Sequence, residues 1–221
     1  MDREMVRVLT CVKDEAWDSY GMQREPLLRR INKEKRLELA ALAHSTGKEL
    51  ARKLKNEYEG RIPSEIAKKL GIIIIRIELS DEGCYNIFAC YQKPDRVDVY
   101  VKTIETAESV LAEFDGMEML ENVSIEELLI AHELFHYYEN ASEAFPTKQK
   151  QVVLWELGKF KYKVCPVSLG EMAAMAFAKE LLRLSYSPYV FDIILAYPQN
   201  RELAEELYDS IIKLNNSLKT I

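Results

Sequence analysis

No run of 18 apolar residues occurs in this 221-residue chain, so the sequence offers no candidate membrane-spanning helix. The opening Met1-Asp2-Arg3-Glu4-Met5 is charged and lacks the apolar stretch of a signal peptide. Cysteine is scarce. Cys11, Cys84, Cys90 and Cys165 are scattered with no Cys-x-x-Cys pair, and they read as reduced thiols used in packing rather than as zinc ligands. The expectation is a cytoplasmic protein with no membrane contact. An excess of basic residues is also missing: 30 Lys and Arg face 36 Asp and Glu, for a net charge of −6. Phosphate neutralisation needs clustered Lys and Arg, so no nucleic-acid partner is expected. One segment pulls the other way, because Pro63-Ser64-Glu65-Ile66-Ala67-Lys68-Lys69-Leu70-Gly71-Ile72 resembles the opening of a helix-turn-helix. The next residues, Ile73-Ile74-Ile75-Arg76-Ile77, are β-branched and read as a strand, which leaves no recognition helix. Repeats, linkers and low-complexity runs are absent too, and at 48% hydrophobic the chain can bury one sizeable core.

Histidine is rare, and that makes its placement informative. Two of the three histidines fall within five residues, in His132-Glu133-Leu134-Phe135-His136. On a helix a step of four residues advances about 400°, so both imidazoles lie one turn apart on nearly the same face and can reach one ion. Glu133, about 100° round, can touch a water on that ion without displacing it, as a general base must. The pattern requires a helix, and the local sequence supplies one. Ser124 and Glu127 read as a capping box, Val123 can staple onto Leu128, and no Gly or Pro interrupts Ile125 to Tyr138. His44 lies far from the motif, inside a long polar-faced helix, and reads as a surface or packing residue.

A catalytic zinc needs a third protein ligand and an open fourth position. The metzincin continuation is excluded, since Glu139 and Ser142 stand where its glycine and third histidine belong. No histidine follows His136. A later carboxylate is expected, and Glu143, Glu156 and Glu171 are the candidates. Glu171 heads a helix rich in small residues that would let it pack close to the first, although Ser168 three residues earlier could reduce it to a capping-box partner.

The motif His132-Glu133-Leu134-Phe135-His136, taken with Glu171-Met172-Ala173-Ala174-Met175-Ala176-Phe177-Ala178-Lys179-Glu180-Leu181-Leu182, resembles the ImmA/IrrE family of zinc-dependent metallopeptidases. Glu171, Ala174, Phe177-Ala178 and Leu181-Leu182 each match that family's second block. The likeness covers roughly residues 47 to 183, leaving 1 to 46 and 184 to 221 as helical extensions of a single domain. Departures are Phe135 for the family's usual Gly, Met175 for Asn, and Arg183-Leu184 for Met-Pro. A bulky Phe135 should keep the segment opposite from approaching closely. The resemblance implies a zincin-like fold, Zn²⁺ held by His132, His136 and Glu171, Glu133 as catalytic base, and a specific intracellular regulatory protein as substrate. The rival expectation is a non-catalytic, zinc-stabilised protein-binding module; a DNA-associated regulator is weakened by the charge.

The expected fold class is α+β. A long helix should run from about Lys33 to Tyr58, capped by Asn32, and a short one from Glu65 to Leu70, ending at Gly71 in a left-handed cap. Strands are expected at about 72 to 78, 84 to 91 and 96 to 102, separated by Ser80-Asp81-Glu82-Gly83 and Gln92-Lys93-Pro94-Asp95. Their connections look too short for crossovers, which predicts a three-stranded antiparallel meander with Val97, Val99 and Val101 inward. Its exposed edge could hold a peptide as an added strand. Residues 103 to 122 read as helix and then loop, 146 to 166 as ambiguous, and Arg201 to Ser217 as a last helix.

Overall fold

The computed structural model describes residues 1–78 and 88–218. Helices α1 (Arg3–Thr10) and α2 (Asp14–Gln23) precede the long α3 (Lys33–Glu57), whose first turn is capped by Asn32 Oδ1 accepting from Lys35 N–H. Then come α4 (Pro63–Lys69), β1 (Ile73–Ile77), β2 (Ala89–Gln92) and β3 (Arg96–Tyr100). Two short helices, α5 (Val101–Ala112) and α6 (Gly116–Met119), lead to α7 (Ile125–Asn140), which carries the histidine motif. After α8 (Pro146–Gln149), a hairpin of β4 (Val152–Leu157) and β5 (Phe160–Val164) returns the chain to α9 (Ser168–Leu182). Helices α10 (Val190–Ala196) and α11 (Arg201–Ser217) complete an α+β fold. Among the described residues no helix is long and apolar enough to cross a membrane.

The three-stranded sheet is not the predicted meander. Its order is β1-β3-β2, with β2 antiparallel to β3 but β1 parallel to it, Ile73 opposite Arg96 and Ile77 opposite Tyr100. Strand β2 does run antiparallel to β1, as a short connection demands, but it lies one strand further out and the hairpin folds β3 into the gap. Burial explains the preference. Val97, Asp98 and Val99 are buried in succession, as a central strand requires, whereas Ile73 and Ile75 are exposed on the edge. Asp98, expected on a wet face, is buried and accepts from Arg96 Nη2 at 3.0 Å. The third strand also stops at Tyr100, so Val101 and Lys102 open α5 instead of extending the sheet. The turn at 80 to 83 and the first half of the second predicted strand, 84 to 87, lie outside the described residues.

One cluster of buried apolar residues runs from Val6 to Ile211, so the N- and C-terminal helices share a core with the motif helices. Within it α9 is held on three sides. Against α3 the backbones nearly touch: a Cβ on Gly47 would lie 2.2 Å from the Ala173 carbonyl oxygen, so only glycine fits there. Against α7, Phe135 is fully buried with its ring 5.9 Å from Phe177 and 5.6 Å from Phe145, filling the interhelical space that its size creates. At the N-terminus of α9, the Glu25 carboxylate accepts from Ser168 N–H at 3.3 Å and from its hydroxyl at 3.4 Å. The cap thus comes from the chain just after α2 rather than from a neighbour in sequence.

Candidate metal centre

Ser124 caps α7 by accepting from Glu127 N–H at 3.3 Å. The expected capping box is only half made, because Glu127 turns away to accept from Ser64 N–H at 2.9 Å and so satisfies the start of α4. The helix carries His132 and His136 on one face, with their Nε2 atoms 3.1 Å apart. Glu171, in the first turn of α9, completes the group: its Oε2 lies 3.3 Å from His132 Nε2 and its Oε1 3.4 Å from His136 Nε2. Taking one ligand atom from each residue, the three lie within 4.8 Å of one another, close enough to converge on a single ion. Two nitrogens and a carboxylate oxygen are also the donor set a divalent transition metal prefers. Ser168 is occupied by Glu25, leaving Glu171 free of any capping duty.

The two rival carboxylates lie elsewhere. Glu156 is on the exposed hairpin, paired with Lys161 at 3.0 Å, and Glu143 is paired with Lys148 at 3.0 Å. His44 bonds to Asp18 at 2.6 Å, apart from the histidine pair.

Behind His136 stands a carboxylate that the sequence reading passed over. Glu139 Oε2 lies 3.1 Å from His136 Nδ1, and its other oxygen accepts from the Thr147 hydroxyl. Were Nε2 to hold an ion, Nδ1 would be left to donate to Glu139, the histidine–carboxylate arrangement that fixes ring orientation and raises ligand basicity. Gly170 makes room for it, since a Cβ there would lie 2.9 Å from Glu139 Oε1. Burial opposes ionisation of Glu139, yet the bonds from His136 and Thr147 outweigh it and hold the carboxyl below its ordinary range. Glu171 is likewise held far below its ordinary value, burial being overcome by the two imidazoles. His136 goes the other way: burial lowers it, but Glu139 and Glu171 push it up to about 10 in the metal-free site. A helical spacing of three between His136 and Glu139 was the available signal.

Glu133 is buried, and its Oε2 accepts from Tyr91 N–H at 2.7 Å. Tyr91 belongs to β2, an edge strand, so this N–H points out of the sheet toward α7. Ala89, two residues back, presents its own N–H and C=O from the same edge. The histidines, Glu133, Glu171 and residues 88–91 line one cleft of about 400 Å³. At its far side sit Arg24 and Asp192, from the regions the resemblance left out. Arg24 Nη2 bonds to Asp192 and, at 3.2 Å, to the Tyr20 hydroxyl, while the guanidinium lies over the rings of Tyr20 and Tyr189. Burial raises the Asp192 carboxyl despite the adjacent arginine. No short motif announces Arg24 or Asp192, because nothing but tertiary packing brings α2 and α10 to this cleft.

Comparison with protein-family models, curated proteins and solved structures finds no match to this chain.

Proposed function

We propose that the chain is a zinc-dependent metallopeptidase of the ImmA/IrrE type, acting on a protein substrate. The observation that carries this reading is the placement of Glu133: buried, lining the cleft beside His132, His136 and Glu171, and held by the backbone of an edge strand. His132, His136 and Glu171 would hold the ion, which when bound supplies Lewis acidity and a water of lowered pKa. Glu133 takes the proton from the attacking water and delivers it to the leaving amine nitrogen, so one carboxylate serves as base and then acid. The Tyr91 N–H fixes which way that carboxylate faces. The outward N–H and C=O of Ala89 suit a substrate bound in extended form along β2, favouring polypeptides over small esters. Arg24 is the one Lys or Arg among the described residues lining the cleft, and it supplies a cation there for a carboxylate or a polarised carbonyl of the substrate.

The test is Glu133→Gln. The amide keeps the shape and can still accept from Tyr91, but it cannot accept a proton at neutral pH. The variant should keep its zinc and its fold, lose cleavage altogether, and retain intact substrate on pull-down. A variant that supports the same cellular function as the unmutated chain would show that hydrolysis is not the purpose of the site. The binding-module reading would then replace it.

A further inference from the structure

We propose that the outer edge of β5 is a second binding site, an exosite that takes an extended substrate segment of alternating apolar and acidic residues. The β4–β5 hairpin turns at Gly158, whose φ of 59° suits the first position of a tight two-residue turn. Pairing of Trp155 with Tyr162 and of Leu157 with Phe160 places all four side chains on one face. That face is uncovered among the described residues: Leu157 is 72% and Phe160 76% exposed, and Trp155 stacks on Tyr162 at 5.9 Å with both rings about half exposed. An exposed apolar patch of this kind marks an interaction site. The opposite face is basic. Residues 152 to 164 hold Lys159, Lys161 and Lys163 against the single Glu156, in a chain whose net charge is −6. Among the described residues, Glu156 pairs with Lys161.

The two edges of the hairpin are not equivalent. Strand β4 has a register shift between Val153 and Trp155 and carries Glu156, so its edge is both kinked and unfavourable to an acidic partner. Strand β5 is regular. Next to a two-residue turn, Leu157 and Phe160 form the hydrogen-bonded pair, so the main-chain groups of Lys161 and Lys163 point outward. An added strand would bond to those groups, set acidic residues opposite the two lysines, and set apolar ones beside Phe160 and Tyr162. A lipid surface fits less well, because an apolar face lying on a membrane would turn Lys161 and Lys163 away from the headgroups. A polypeptide strand meets both faces at once. The hairpin follows α7 and α8 in the chain and precedes α9, the two longer helices being those that carry the candidate metal ligands. What the capture is for rests on the peptidase reading; the capture itself does not.

The experiment uses the full chain as zinc-loaded Glu133→Gln protein and a fluorescein-labelled decapeptide of alternating Val and Glu, followed by anisotropy. Binding should weaken at least tenfold in the double variant Lys161→Glu, Lys163→Glu, whose exposed sites tolerate charge reversal, and a Val/Lys peptide should gain affinity for that variant. N-methylation of alternate amides in the peptide should abolish binding, and zinc removal with EDTA should leave it unchanged. Equal binding of the N-methylated peptide, or indifference to the charge reversal, overturns the exosite. So does loss of binding on zinc removal, which would place the peptide in the cleft. Sedimentation with phosphatidylserine vesicles in place of peptide binding would assign the hairpin to a membrane and equally overturn the proposal. Each of these outcomes leaves the zinc content and cleavage that test the peptidase reading untouched.

Discussion

Removing the Glu139 carboxylate should weaken zinc binding without removing a single ligand. The His136 Nδ1···Glu139 Oε2 contact of 3.1 Å is sheltered, the two side chains being 16% and 13% exposed, so bulk water does not replace it readily. Loss of such a partner costs about 10- to 100-fold in metal affinity, which is about 1.4–2.7 kcal/mol. Glu139→Gln keeps a hydrogen-bonding group but loses the charge, and should fall near the lower end. Glu139→Ala leaves both His136 Nδ1 and the Thr147 hydroxyl without their acceptor and should fall near the upper end. Competition against a chromophoric chelator at neutral pH reads both, with Glu171→Ala as the reference for outright ligand loss. If Glu139→Ala holds zinc as tightly as the unmutated chain, the carboxylate is not orienting a ligand. If it loses zinc as completely as Glu171→Ala, Glu139 is itself a ligand and the assignment of the third corner must change.

Purified protein should carry about one zinc per chain, and His132→Ala, His136→Ala and Glu171→Ala should each lose most of it by metal analysis, while Glu156→Ala keeps it. In metal-free protein His136 is pushed up to about 10 from an ordinary 6.5. Its charged form therefore stabilises the fold fully below about pH 6.5, and that contribution is lost as pH rises toward 10. Thermal scans of EDTA-treated protein should show a lower Tm at pH 9.5 than at pH 6, with a smaller difference in Glu139→Ala; a flat profile refutes the coupling. Gly47→Ala should destabilise the fold by about 3 kcal/mol or more, since its Cβ would stand 2.2 Å from a backbone oxygen of α9, and urea unfolding measures it.

The parts of the fold that were legible are those whose signals are local. Asn32 as a cap fixed the start of α3, Gly71 the end of α4, and the spacing of His132 and His136 on an uninterrupted apolar stripe placed the motif on α7. Sheet order was not legible, because Val97-Asp98-Val99 alternates like a half-wet strand although Asp98 is buried. The segment 146 to 166 stayed ambiguous because Leu154 is an extra residue in β4 and breaks the period of two on which recognition of a strand depends. Site residues followed the same division. The two histidines and Glu133 sit in one turn, whereas Glu25, Arg24 and Asp192 act across more than a hundred residues of chain, where no spacing rule applies.

On the zinc reading, the position of α9 between α3 and α7 would tie metal supply to the lifetime of the folded chain. His132 and His136 are neighbours whenever α7 is helical, but Glu171 reaches them only once α9 has packed on α7, with its other side against α3 at Gly47. If the site holds zinc as proposed, full affinity would therefore belong to the docked state alone. By mass action, free zinc at a thousand times its Kd would deepen that state by about 4 kcal/mol, comparable with the whole margin of a small domain. On the metallopeptidase reading, a metal-starved chain would keep its helices yet open more often between α7 and α9, exposing the apolar face of each to proteases. Zinc would then govern how long the protein persists as well as whether it can act.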